Sequence, residues 1–166
     1  MQLKMKHKQM YMRIAEAVAQ TSSSVRLKVG AVAVKNNQVI GTGYNALPTG
    51  LHGPLEDKVY NIDASQWLSP QEIQQRYLVD DVGLYELVTK KEVRHAEKNL
   101  ILSLAKSTES TVGASVFCTH SCCYYCALDL ADIGITHFYY KEPYRCDEGL
   151  QYLVSQGIMV EQLTYN

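Results

Sequence analysis

His95-Ala96-Glu97 and, after 25 intervening residues, Cys123-Tyr124-Tyr125-Cys126 decide how this chain is read. A single C-x-x-C taken alone is a redox pair or half of a structural zinc finger. Here no second C-x-x-C completes a finger, and the partner segment carries H-x-E. One imidazole and two thiolates form a zinc donor set, and three protein ligands leave the fourth position open, as in catalytic sites. Glu97 is not needed as a ligand. Alone it would pass for a first-turn carboxylate that suits a helix dipole. Two residues beyond a zinc-binding histidine, it reads as a proton carrier.

The flanking pattern places these residues on α/β elements. Residues 92–106 are helical, 115–119 form a strand, and 123–133 form a helix that Gly134 stops. Strand 136–140, helix 147–155 and strand 158–162 complete the alternation. Upstream, residues 5–19 carry apolar side chains at 10, 14, 15 and 18, near helical spacing. Strands 29–34 and 39–44 form a hairpin turned at Asn36-Asn37. The order predicts a three-layer α/β/α sandwich with a five-stranded mixed sheet, in one domain over residues 1–166. The zinc donors then sit at the starts of two neighbouring helices, where positive potential stabilises thiolates. Pro48, Gly50, Gly53 and Pro54 open an insertion over residues 51–94. Within it only 70–78 reads as a helix, after Ser69-Pro70.

Composition narrows the partners. The chain has 166 residues, enough for one domain with a core. No apolar stretch approaches the roughly 18 residues of a membrane helix, and the N-terminus lacks the apolar region of a signal peptide. Five cysteines, three of them at 122, 123 and 126, suggest a reducing compartment and a metal site. The expectation is a cytoplasmic protein, or one of the host cytoplasm if viral. A net charge of -1 argues against a long nucleic-acid footprint, yet leaves room for a small phosphorylated substrate.

His95-Ala96-Glu97 with Thr119-His120-Ser121-Cys122-Cys123-Tyr124-Tyr125-Cys126-Ala127 resembles the cytidine deaminase superfamily. Arg26-Leu27-Lys28-Val29-Gly30-Ala31-Val32 and Gly41-Thr42-Gly43-Tyr44-Asn45-Ala46-Leu47-Pro48 are similar to the first hairpin of its deoxycytidylate (dCMP) deaminase family. The likeness spans about residues 10–162, without a counterpart for 51–94. It implies a hydrolase of pyrimidine metabolism and nucleotide biosynthesis that turns dCMP into dUMP and ammonia, feeding thymidylate synthesis. It implies one Zn²⁺ per chain on His95, Cys123 and Cys126, with Glu97 as catalytic acid and base. Asn45 would hold the sugar hydroxyl, and the backbones of Ala96 and Ser121 would border the base. Arg26 matches a phosphate-binding arginine of some members; Tyr144 and Arg145 are the next candidates to pack the base and neutralise phosphate.

Many members are homo-hexamers, switched on by dCTP with Mg²⁺ and off by dTTP. The resemblance therefore implies allosteric contacts at Tyr44, Ala46, Leu47 and Gly50. The sequence also departs from the family. Cys122 stands where a proline usually precedes the first motif cysteine, and we read it as a small apolar filler because Cys123 and Cys126 keep the motif spacing. Ala46 replaces a glycine. No cysteine precedes 118, so the second, structural zinc of some relatives is not expected. His52, His120 and His137 read as surface or packing residues, and Cys118 and Cys146 as ordinary thiols. Three further readings stay open. A base deaminase acting on tRNA or single-stranded DNA would draw on the twelve tyrosines but finds no basic track. A non-catalytic zinc-binding homologue would have no use for Glu97. A free-nucleoside deaminase would have none for Arg26 and Arg145.

Overall fold

The computed structural model describes residues 3–61 and 63–165. Helix α1 (Met5–Ala19) buries Tyr11, Met12, Ala15 and Ala19, the face that its helical repeat brings together. Strands β1 (Gly30–Lys35) and β2 (Gln38–Tyr44) pair as an antiparallel hairpin. Asn36 and Asn37 turn it at φ 51° and 60°, the left-handed backbone that a two-residue hairpin loop demands and asparagine tolerates. The chain then runs through β3 (Glu56–Tyr60), α2 (Ala64–Trp67), α3 (Pro70–Arg76), β4 (Leu78–Val79) and β5 (Leu84–Thr89). It returns as α4 (Ala96–Leu104), β6 (Ser115–His120), α5 (Tyr124–Asp132), β7 (His137–Glu142), α6 (Glu148–Ser155) and β8 (Met159–Gln162).

The main sheet has the order β2-β1-β6-β7-β8. β1 is antiparallel to β2 and β6, whereas β6, β7 and β8 are parallel, linked by α5 and α6 as crossovers. This is the expected five-stranded mixed sheet. Alternation along the strands supplies two apolar faces. Val32, Val34, Phe117 and Tyr139 meet α1 through Tyr11, Met12 and Ala15. Ala31, Ala33, Val116, Cys118 and Phe138 meet the opposite layer through Leu100, Leu104, Ala127, Leu130 and Leu153. Helices therefore cover both sides of the sheet. No helix among the described residues is long and apolar enough to cross a membrane.

The insertion holds a second sheet, order β3-β5-β4, all antiparallel. The sequence signalled only its helix α3, which ends at Arg76 and carries a complete capping box between Ser69 and Glu72. Strand β3, Glu56-Asp57-Lys58-Val59-Tyr60, buries only Glu56, so it lacks the apolar alternation by which strands are read. A second difference lies just before the H-x-E motif. The helix expected from residue 92 begins at Ala96. Arg94 instead exchanges two backbone hydrogen bonds with Ala46, N–H to O at 2.9 and 3.1 Å, and this bridge occupies the groups that an earlier helical turn would need.

Candidate active site

The register of the sheet gathers the motif loops at one end. Gly30, at the start of β1, lies opposite Tyr44, at the end of β2, while Ala31 faces Cys118 near the end of β6. His120 stands beside Glu142, at the ends of β6 and β7. The loop before β1 and the loops after β2, β6 and β7 thus converge at the carboxyl ends of the parallel strands, where open α/β sheets place ligands. His95 is the N-cap of α4 and Cys123 the N-cap of α5. Two glycines allow the approach. A Cβ on Gly43 would lie 2.3 Å from the Ala96 carbonyl oxygen and the Leu100 nitrogen, so α4 rests directly on β2. A Cβ on Gly149 would lie 2.4 Å from the Cys122 carbonyl, so α6 rests on the cysteine loop.

His95 Nδ1 lies 3.5 Å from Cys123 Sγ and 3.5 Å from Cys126 Sγ. The three donor atoms all fall within 4.8 Å of one another. Tetrahedral zinc, with bonds of about 2.05 Å to nitrogen and about 2.3 Å to sulfur, separates such donors by roughly 3.6 Å. Donor type, number and spacing therefore fit the ion. Cys126 and then His95 hold the Cys123 thiol down at about 4. The Cys126 thiol is pushed up by the hydrogen bond to Cys123 and by burial. Hydrogen bonding to Cys123 also raises His95. Glu97 is 3% exposed, and burial pushes its carboxyl up to about 7, with His95 opposing the rise. A carboxyl at that value can both take and give a proton near neutrality.

These groups open into a cleft of about 670 Å³, within the range of roughly 300–1,000 Å³ usual for small-molecule sites. His95, Ala96, Glu97, Ser121 and Cys123 line it, together with Arg26, Asn45, Tyr144 and Arg145. Asn45 is oriented by its own backbone neighbours: Oδ1 accepts from Val29 N–H (2.9 Å) and Nδ2 donates to the Leu27 carbonyl (2.8 Å). Ser121 Oγ accepts from Tyr144 N–H (2.6 Å), tying the cysteine loop to the loop of Arg145. The Arg145 guanidinium lies 5.2 Å from the Tyr144 ring centre. Tyr44, Ala46, Leu47 and Gly50 are not among the lining residues. Their loop borders the site through the Ala46–Arg94 bridge and through Asn99 Nδ2, which donates to the Tyr44 carbonyl.

Residues 5–142 match the family described as the cytidine and deoxycytidylate deaminase zinc-binding region. The chain belongs to this deaminase family. It is 33% identical to the deoxycytidylate deaminase of Enterobacteria phage T2 over 150 residues, covering 80% of this chain and 78% of that one. It is 33% identical to the deoxycytidylate deaminase of Mycobacterium phage D29 over 133 residues, covering 80% and 91%. Its fold superposes on a crystal structure of dCMP deaminase from cyanophage S-TIM5 in complex with dCMP and dUMP, with a TM-score of 0.77 at 32% identity, covering 98% of this chain and all of that one (100%).

Within this family member, Cys122 is fully buried in the core and stands outside the His95, Cys123 and Cys126 group. Burial drives its thiol well up, the behaviour of an apolar filler. Sequence reasoning missed other cleft residues. Thr89, Lys90 and Lys91 reach it from the end of β5, Ser24 from the loop before β1, and His120 from the end of β6. Nothing local marks Thr89, Lys90 and Lys91; the pairing of β5 with β3 brings them to the site. His120, read as a surface or packing residue, is half-buried there, with its pKa lowered by burial.

Proposed function

We propose that this chain deaminates dCMP, using water to form dUMP and ammonia. The observation that carries the reading is the content of one cleft: His95, Glu97 and Cys123 line it, with Cys126 completing the donor group, and four basic residues, Arg26, Lys90, Lys91 and Arg145, stand in the same lining. A free nucleoside has no use for that charge. A nucleic-acid strand needs a longer basic and aromatic track. The phage relatives named deoxycytidylate deaminase, and the cyanophage enzyme crystallised with dCMP and dUMP, support the same choice.

In this reading His95, Cys123 and Cys126 hold one Zn²⁺. The ion supplies Lewis acidity that makes water a nucleophile near neutral pH. Glu97 takes one proton from the attacking water and passes it to the ring nitrogen, then takes the second from the added hydroxyl and delivers it to the amine, which leaves as ammonia. Asn45 steadies the sugar, while Ala96 and Ser121 border the base with backbone groups. Tyr144 packs on the base, and Arg26 and Arg145 neutralise the phosphate. The product supplies thymidylate synthesis. A homo-hexameric assembly, activated by dCTP with Mg²⁺ and inhibited by dTTP, belongs to the same proposal. For the regulation, the support is the backbone bridge between the Tyr44–Gly50 loop and Arg94, next to His95.

The deciding experiment compares ammonia release from dCMP, cytidine, deoxycytidine and a cytosine-containing oligonucleotide. The expected result is turnover of dCMP well above the rest. Preferred turnover of the nucleosides or the oligonucleotide would sink the assignment.

A further inference from the structure

One cross-strand pair of the insertion takes hold of Arg26 at both ends. Glu56 and Thr89 stand opposite each other in the β3–β5 ladder. The Glu56 carboxylate accepts from Ser24 Oγ (2.5 Å), from Val25 N–H (3.3 Å) and from Arg26 N–H (3.4 Å). Ser24 Oγ accepts in turn from Leu27 N–H (3.2 Å), closing the turn on itself. Thr89 Oγ1 accepts from the Arg26 guanidinium (3.2 Å). Glu56 is only 5% exposed, and none of the described ion pairs includes it. A buried carboxylate held by neutral donors is costly to desolvate. An apolar contact would tie the insertion to the core at lower cost. What the carboxylate adds is direction: its bonds fix the conformation of the turn from which Arg26 projects.

We infer that the Glu56–Thr89 pair positions Arg26 for the substrate phosphate, so that the insertion sets the preference for nucleotide over nucleoside. The inference rests on dCMP being the substrate. A guanidinium has five N–H donors. Thr89 engages one nitrogen and leaves the rest of the fork for phosphate oxygens. An arginine already oriented loses less rotamer freedom on binding than a free one. Beyond Thr89 the same segment places Lys90 and Lys91 in the cleft, so β5 delivers both the support for Arg26 and additional positive charge. Glu56 and Thr89 are positioning residues, acting through Arg26.

The test is a double-mutant cycle on dCMP kinetics. Thr89 is exposed, so Thr89→Val leaves no buried orphan and no cavity. It should raise KM for dCMP about 3- to 10-fold with kcat unchanged, and Thr89→Ser should restore it. In an Arg26→Ala background, Thr89→Val should add nothing, because the group it orients is gone. Glu56→Gln keeps the shape but turns one acceptor into a donor facing either the Val25 N–H or the Arg26 N–H. It should give the same KM-specific loss, again absent with Arg26→Ala. Equal effects in both backgrounds, a fall in kcat, or an unchanged KM would overturn the inference while leaving the dCMP reading intact. A wild-type chain inactive on dCMP would overturn both.

Discussion

The role proposed for Glu97 rests on two neighbours: His95, two residues before it in sequence, and the core that buries it. Glu97→Gln keeps the shape and removes the titrating group. Metal analysis should still find one zinc per chain, while ammonia release from dCMP falls about 10²- to 10⁴-fold, the usual contribution of a general acid and base. Substantial residual turnover would mean that another group carries the proton. Cys122 is the contrasting case. Its side chain packs with Ala96, Leu153 and the other core residues, so Cys122→Ala should leave the zinc stoichiometry unchanged and cost roughly 1 kcal/mol of stability. Loss of metal in that variant would move the ligand role from Cys123 to Cys122. Arg145 lies exposed at the rim, over Tyr144. A charge-assisted bond to phosphate contributes about 1.5–3 kcal/mol. Arg145→Ala should therefore lower kcat/KM for dCMP about 10- to 100-fold and affect residual deoxycytidine turnover less. Equal losses on both substrates would show that Arg145 supports the loop and not the phosphate.

At the scale of elements, the site is set by how closely helices lie on strands. Gly43 admits the first turn of α4 onto β2, and the atoms that an added methyl would meet are backbone, which cannot swing aside. Gly43→Ala should push α4 outward and displace His95 and Glu97 together. Thermal melting should show a loss of about 1–3 kcal/mol, and zinc should be held less tightly at equal chelator concentration. A variant with the wild-type melting temperature and kcat would mean that α4 can yield without cost. This contact also marks what the sequence could and could not disclose. H-x-E and C-x-x-C are legible because zinc accepts few donor types and both segments are local. The α/β alternation after residue 95 is legible because apolar residues repeat with helical or strand period. The insertion is not, since β3 buries only Glu56, and its second sheet presents exposed pairings such as Lys58 with Asp80. Thr89, Lys90 and Lys91 reach the cleft, and Glu56 the turn of Arg26, only through the register of that sheet. The late start of α4 was hidden likewise, because its cause is a bridge from Ala46, far back in the chain.

At the scale of the whole molecule, the question is how a site built from three loops could respond to a nucleotide bound elsewhere. An effector shifts activity only by binding two states of the enzyme unequally. The Tyr44–Gly50 loop joins the pieces that such states would rearrange. Its Ala46 is backbone-bonded to Arg94, the residue before His95, and Asn45 pins the turn of Leu27 and Val29 beside Arg26. Ser22 Oγ donates to the Asn45 carbonyl and so links the loop to the end of α1 as well. A displacement at Leu47–Gly50 therefore reaches the zinc donors and the phosphate side by short covalent and hydrogen-bonded routes. Ala46 stands where the resembled family has glycine, and a methyl group there would oppose close approach of a triphosphate to the backbone. Regulation nevertheless remains the expectation, since the bridge uses the backbone of Ala46 and leaves its side chain out of the coupling. The measurement is the dCMP saturation curve taken alone, with dCTP and Mg²⁺, and with dTTP and Mg²⁺. The expected outcome is a sigmoid that dTTP sharpens and dCTP relaxes toward a hyperbola, over a coupling of about 1–3 kcal/mol, or roughly 5- to 150-fold in apparent affinity. Ala46→Gly should keep or strengthen that response, because it widens the loop without touching the bridge. Three superimposable hyperbolas from the wild-type chain would show that the loop serves the active site alone.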